Sequence, residues 1–250
     1  MTRLLAVLTI AGRAWRPHRS IAAMAFGVCV AALLEIGICP LAGADDSHSV
    51  TLTLIRHAES TANAAGVIDT STPGPALSSR GECQAAQAAG PLSAHHYDGV
   101  YASSMIRTQQ TAAPTAQALG EKTEVLPGLG EIEAGVYQGH PGVDVAAYLA
   151  APTSWVHGDR TARIPDSVDG NEFEARFNSA VQRIYVSGQT HPVAFSHSAA
   201  IMVWTLMNTH NSDPALLTTQ PLPNLGRVVV TGSPKQGWTL TEWDAESATC

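Results

Sequence analysis

The run Val50-Thr-Leu-Thr-Leu-Ile55 leads directly into Arg56-His57, and that junction constrains the fold more than any other stretch. Val50, Leu52 and Leu54 alternate with threonines before the run turns apolar at Ile55, the pattern of a short strand. Its C-terminal end delivers a guanidinium and an imidazole, and open α/β sheets bind ligands at such strand ends. The small, polar stretch Ala58-Glu59-Ser60-Thr61-Ala62-Asn63 then suits a tight strand-to-helix turn. A histidine beside a permanent cation is poorly placed to hold a metal ion and well placed to meet an anion.

The rest of the chain repeats that alternation. Ser79-Arg80-Gly81-Glu82 has the S-x-x-E form of a capping box and opens an Ala/Gln-rich helix toward Ala89. Val100-Tyr101-Ala102 is a strand, and Ser104 caps a helix from Met105 that stops at Gly120 and that Pro114 kinks or divides. Glu124 to Leu126 forms another strand, followed by a Gly-rich segment from Gly128 to Gly142. Asn171 caps a helix through Tyr185, with Phe173, Phe177, Val181 and Ile184 on its apolar face. Val193 to Phe195 is a buried strand, Ile201 to Met207 a helix, and Arg227–Thr231 and Trp238–Trp243 paired strands. The expected fold class is α/β, a three-layer sandwich with a mostly parallel central sheet and helices on both faces.

Residues 1–44 read as a secretory signal rather than as part of that fold. Arg3, Arg13, Arg16 and Arg19 make a basic leader, Ile21 to Leu34 is apolar, and Ala42-Gly43-Ala44 offers a cleavage site. The competing reading is an uncleaved anchor from Ile21 to Cys39, which Glu35 disfavours. Residues 45–250 then form one domain, secreted or held in the cell envelope. The whole chain carries a net charge of −7, and loss of the basic leader makes the remainder more acidic still. That balance opposes nucleic acid and anionic membrane surfaces as partners, so any anion pocket is local. Cys83 and Cys250 are the cysteines left after cleavage; one bridge is permitted, but free thiols are the default expectation.

Four places share one design, a strand end followed by a polar cluster: Arg56-His57, Ser103-Ser104 leading to Arg107, Glu131, and His197. If the strands are parallel, these clusters converge on one edge of the sheet. Two guanidinium forks match the oxygens of a phosphoryl group and keep their charge at any working pH. One histidine then attacks phosphorus, the second donates to the equatorial oxygens, and a glutamic acid protonates the departing alkoxide.

From Leu52 to Val230 the arrangement resembles the histidine phosphatase superfamily, the phosphoglycerate mutase-like group. The resemblance rests on Leu54-Ile-Arg-His-Ala-Glu-Ser60 with Asn63, Leu77-Ser-Ser-Arg-Gly-Glu82, Tyr101-Ala-Ser-Ser-Met-Ile-Arg-Thr108, Leu129-Gly-Glu131, and Val193-Ala-Phe-Ser-His197, in that order. It implies His57 as the nucleophile, Arg56, Arg107 and His197 on the phosphoryl oxygens with Asn63 nearby, and Glu131 as proton donor. It further implies a phosphorylated small-molecule substrate and chemistry without a metal or other cofactor. A phosphoglycerate mutase-type transferase and a catalytically silent phosphate-binding scaffold are the alternatives. The mutase needs further cations, for which Arg160, Arg163 and Arg176 are the candidates.

Several positions stay open on sequence alone. Glu133 lies two residues from Glu131 and could take the acid role. Arg107 could pair with Glu82, His197 could be a core histidine, and Asn63 could only cap a turn. Ala58 and Ser198 stand where the family usually has glycine. Tyr137, Tyr148, Trp155 and Phe173 could line an entrance, although aromatic residues more often fill cores.

Overall fold

The computed structural model describes residues 48–245 and Cys250. The expected signal or anchor, with its cleavage site, lies outside the described residues. Six strands are β1 (Val50–Arg56), β2 (Gly99–Ala102), β3 (Thr123–Val125), β4 (Pro192–Ser196), β5 (Arg227–Ser233) and β6 (Gly237–Asp244). The longer helices are α2 (Ser79–Ser93), α3 (Ile106–Leu119), α6 (Gly170–Val186) and α7 (Ser198–Asn208). Shorter ones are α1 (Thr61–Ala64), α4 (Val145–Tyr148), α5 (Ala150–Val156) and α8 (Leu216–Thr219).

The strands form a single mixed sheet in the order β3-β2-β4-β1-β5-β6. β1, β2, β3 and β4 run parallel, while β5 and β6 add an antiparallel flank beside β1. Strand periodicity sorts side chains to two faces. Val50, Leu52, Leu54, Tyr101 and Ala194 join the core that α5, α6 and α7 cover. Ile55, Val100, Ala102, Val193 and Phe195 point the other way and pack with Ala112 and Ala116 of α3. That is the expected three-layer sandwich. Among the described residues, no helix is long and apolar enough to cross a membrane.

Local boundaries moved where a better cap was available. Ser78, not Ser79, caps α2, and its hydroxyl accepts from Gly81 N at 3.0 Å. Asp169 caps α6 through a capping box with Glu172, so Asn171 sits inside the helix. Glu172 is thereby occupied structurally, and it also pairs with Arg163 at 2.8 Å. Met105 precedes α3 without a side-chain cap, and Ser104 has no capping role. Pro114 lies within α3 without dividing it. The turns around it bury Thr111, Ala112, Thr115 and Ala116, and that packing offsets the lost hydrogen bond.

The default of two free thiols is corrected. Cys83 of α2 and Cys250 are joined as a disulfide, with Cα atoms 6.1 Å apart and a sequence separation of 167. Spacing along a chain says nothing about proximity in space, which is why the sequence could not pair them.

Candidate active site

Register brings the four clusters together. Arg56 of β1 pairs with Ser196 of β4, and Ala102 of β2 pairs with Phe195, so three strands end at one level. His57 N then donates to Ser196 O at 3.0 Å, and Ser103 N donates to Phe195 O at 3.2 Å. The residues that follow, His57, Ser103 and His197, share one edge of the sheet. This is the topological position at which α/β sheets present ligand sites.

Arg107, in the first turn of α3, links the two imidazoles. Its Nε–H donates to His57 Nε2 at 3.0 Å, and Nη2 donates to His197 Nδ1 at 3.2 Å. Nη2 also faces Asp69 O at 3.2 Å and Met105 Sδ at 3.1 Å. Glu82 is not among these partners, so the surface-pair reading of Arg107 falls. The rings of His57 and His197 meet edge-on, centroids 5.1 Å apart. Arg107 and both histidines are almost wholly shut off from solvent.

The hydrogen bonds fix both tautomers. His57 Nδ1–H donates to Ala58 O at 2.7 Å, which leaves the lone pair on Nε2, the atom facing Arg107. For His197, Arg107 supplies a donor at Nδ1, so the proton is on Nε2 and goes to Ser103 Oγ at 2.9 Å. Ser103 Oγ also accepts from Met105 N at 3.1 Å, so its own proton turns to Thr108 Oγ1 at 2.8 Å. Thr108 in turn donates to Met105 O at 2.8 Å. Burial pushes both histidines well below the ordinary imidazole value, and the neighbouring Arg107 guanidinium adds to the shift. Both rings are therefore held neutral by the protein's own groups.

Arg56 donates from Nη1 to Leu222 O at 2.6 Å. Its Nε, like Nη1 of Arg107, is buried without a hydrogen-bond partner. An unmet guanidinium donor in a buried setting is costly unless an anion visits it. Gly74 makes room for one of these groups: its φ is +69°, and a Cβ there would lie 2.8 Å from Arg107 Nη1.

Glu131 faces the same cavity from the Gly-rich segment. Oε1 accepts from Ile132 N at 2.9 Å and from Ala200 N at 2.8 Å, in the first turn of α7, while Ala199 N lies 3.4 Å from Oε2. Burial raises its pKa, outweighing these amides and the two arginines, so the carboxyl holds a proton at higher pH than usual. Arg176 braces the segment from behind, donating to the carbonyls of Gly128, Gly130 and Glu131. Glu133 points away and pairs with Arg176 at 3.5 Å. Of the two glutamates, Glu131 is the one that lines the cavity.

Asn63 does two things. It completes a capping box with Ser60 at the start of α1, and it lines the cavity. Its Oδ1 accepts from Ser60 N at 3.2 Å and from Asn224 Nδ2 at 3.2 Å, which leaves its own amide N–H groups to the cavity. Ala58 is buried against Leu77 and Ala85, so its methyl group serves as packing in a turn that needs no glycine. Ser198 lines the cavity and donates to Leu222 O at 3.1 Å. Of the aromatic candidates, Tyr148 lines the cavity, whereas Trp155 and Phe173 are wholly buried in the core.

Five of the six expected site residues, Arg56, His57, Asn63, Arg107 and Glu131, line one cavity of about 490 Å³. His197 lies behind them, reaching the site through Arg107 and His57. Sequence reasoning missed Asn224, which donates to His57 O at 3.0 Å and lines the cavity. It comes from the loop before β5, and nothing in the local pattern around Pro221 and Pro223 marks it. The hydroxyl chain through Ser103 was missed as well. Its signal was the strand-end position of Ser103, which had been used only to place Arg107.

Comparisons with known proteins agree with this geometry. The family model of the histidine phosphatase superfamily (branch 1) matches residues 52–246. The PE-PGRS family protein PE_PGRS11 of Mycobacterium tuberculosis is 42% identical over 216 residues, which cover 80% of this chain but only 37% of that protein. The chain thus spans little more than a third of that relative's length. A probable phosphoglycerate mutase of Yersinia enterocolitica is 28% identical over 202 residues, 78% of this chain and 90% of that one. Among solved structures, mycobacterial glucosyl-3-phosphoglycerate phosphatase in complex with VO3 aligns with a TM-score of 0.64 at 20% identity, covering 79% of this chain and all of that one. An Escherichia coli protein described as a putative alpha-ribazole-5'-P phosphatase aligns with a TM-score of 0.63 at 20% identity, over 81% of this chain and all of the other. At that identity the structural likeness speaks to the fold. The family match over most of the chain accords with the paired histidines, the paired arginines and the buried glutamic acid, and this protein belongs to the histidine phosphatase superfamily.

Proposed function

We propose that the chain is an exported phosphomonoesterase that works through a phosphohistidine on His57, with Glu131 as proton donor. The observation that carries this reading is a neutral imidazole, its Nε2 lone pair held toward the cavity floor, flanked by buried guanidinium donors without partners. An entering phosphoryl group takes up Arg56 Nε and Arg107 Nη1. The N–H groups that Arg107 now directs at the two rings turn to its oxygens. That frees His57 Nε2 to attack phosphorus. The ester P–O bond breaks, its electron pair stays on the leaving oxygen, and Glu131 supplies the proton. The resulting carboxylate then takes a proton from water, whose oxygen attacks phosphorus and breaks the P–N bond. Inorganic phosphate leaves, and Glu131 is protonated again.

As the dianion enters in this scheme, His197 takes a proton from solvent onto Nδ1 and binds a phosphoryl oxygen, while Ser103 holds its other nitrogen. Most of the acceleration comes from charges already in position, since the transferred group is itself electrophilic.

The mutase reading asked for further cations. Arg160 pairs with Glu174, Arg163 with Asp169 and Glu172, and Arg176 is committed to backbone carbonyls and Glu133. None of the three lines the cavity, which favours water as the acceptor. A silent scaffold would not need a tautomer fixed for attack or an acid kept protonated. The Cys83–Cys250 bridge supports export, because disulfides persist in oxidising compartments.

The test is rapid-quench turnover of 4-nitrophenyl phosphate. A burst of nitrophenol with one acid-labile phosphoryl group per molecule, abolished in His57→Ala, is expected. A linear progress curve with no labelled protein, even under single-turnover conditions, counts against the covalent route. Sequencing the N-terminus of extracellular material should give a start near Asp45; full-length chain confined to membranes would favour the anchor.

A further inference from the structure

The floor of the cavity is cationic and its upper wall is not. Among the described residues, the arginine and lysine side chains that line it are Arg56 and Arg107, both at the phosphoryl end. Apart from Leu222, whose carbonyl sits on Arg56, the larger aliphatic residues lining it are Val67, Ile68, Val145, Leu149 and Met202, with Tyr148 among them. Backbone bonds tie the Val67–Ile68 stretch to the segment before Val145: Ile68 N donates to His140 O at 2.9 Å, Gly139 N to Ile68 O at 2.8 Å and Gly142 N to Gly66 O at 2.6 Å. The wall is thus a built surface rather than a loose loop. Within it Val145 is 45% exposed, and Val143, two residues earlier in the chain, is 86% exposed. Valines held out in water are costly unless something apolar covers them.

Charge at the wall points the same way. The other ionised groups lining it are carboxylates, Asp69 and Glu59. Asp69 is held below the ordinary carboxylate range: partial burial works to raise it, but bonds from Ser71 and Gln138 outweigh that. Glu59 is engaged by Ser78 and by Arg80, which lies outside the cavity. A leaving group carrying its own carboxylate or second phosphate would meet these two anions and no free cation.

We infer that the site takes phosphomonoesters of neutral, apolar alcohols, and that the wall from Val67 to Leu149 recognises the hydrocarbon part. This rests on the phosphatase reading of the floor. Preference is set by contact along the alcohol, and alcohols bearing acidic groups are turned away.

The test is phosphate release by the full-chain protein from n-alkyl phosphates of two to eight carbons, below their micellar concentrations, against 3-phosphoglycerate and 4-nitrophenyl phosphate. The alkyl leaving groups have nearly equal basicity, so chain length reports contact alone. kcat/KM should rise by about two- to fourfold per methylene until the wall is covered, and the longer alkyl phosphates should exceed 3-phosphoglycerate. The exposed variant Val145→Lys should flatten the rise and move the ratio toward 3-phosphoglycerate by up to about fivefold. Turnover of 4-nitrophenyl phosphate with a flat chain-length response, or with 3-phosphoglycerate preferred, would overturn this inference and leave the phosphatase reading standing. No phosphate release from any ester would overturn both.

Discussion

The floor and the wall of the cavity are built on different principles. At the floor, Arg107 reaches His57, His197, Asp69 and Met105, and Arg56 is held by the Leu222 carbonyl. Three strand ends and the first turn of α3 hold that constellation, and the core behind it is fully buried. The wall is made largely from short pieces, the Val67–Ile68 stretch, the 3-10 turn at Gly142–Asp144 and the four-residue α4, with Val145 partly left in water. Rigid elements suit chemistry, where a displacement of an ångström costs rate. Short elements on a scaffold can vary their side chains without disturbing it. The difference assigns reactivity to the floor and choice of substrate to the wall.

Variants of the two regions should therefore differ in kind as well as size. The largest effect belongs to the nucleophile. His57→Ala should lower kcat by about 10⁴-fold or more and abolish labelling of the protein with every substrate, wall-filling or not. Residual labelling would move the nucleophile to another residue.

Glu131→Gln comes next. Loss of a general acid costs about 10²–10⁴-fold, and the loss should fall on alkyl esters while 4-nitrophenyl phosphate is slowed much less. Equal slowing of both would remove Glu131 from the acid role. The pH profile carries the same information. With its pKa raised by burial, Glu131 stays protonated above the usual carboxylate range, so alkyl ester turnover should fall as pH rises through that value. His57, with its pKa depressed, should lose activity only as pH falls through a value below that of ordinary imidazole. In Glu131→Gln the alkaline limb should vanish and the acid limb remain.

Ser103→Ala tests whether the floor is tuned beyond direct contact. It removes the acceptor that fixes the His197 tautomer, and kcat should drop by about 10- to 100-fold with little change in KM. Ser103→Thr should restore part of the loss, and a change confined to stability would refute the positioning role. The smallest effect on rate should come from the edge of the molecule. Cys83→Ser opens the Cys83–Cys250 bridge, which should cost about 2–4 kcal/mol of stability by denaturant unfolding. Turnover per folded molecule should not change; a parallel fall in kcat would tie α2 to the floor.

Much of this was legible in the residues themselves. Strand periodicity placed β1 and β4, and the polar clusters after apolar runs named five of the six expected site residues, with Asn63 added by the family resemblance, because short strands and strand-end chemistry are local properties. The sequence also determined that the anion site had to be local, since an acidic chain has no general attraction for anions. Other features depended on distance. The Ser103–Thr108 chain, Asn224 against His57, the committed positions of Arg160, Arg163 and Arg176, the Cys83–Cys250 bridge and the placing of Glu131 rather than Glu133 at the cavity each join residues far apart in the chain, or turn on which way a side chain faces. Tertiary structure decided those, because hydrogen-bond direction, burial and the pKa shifts that follow are properties of a neighbourhood, and a neighbourhood exists only once the strands are in register.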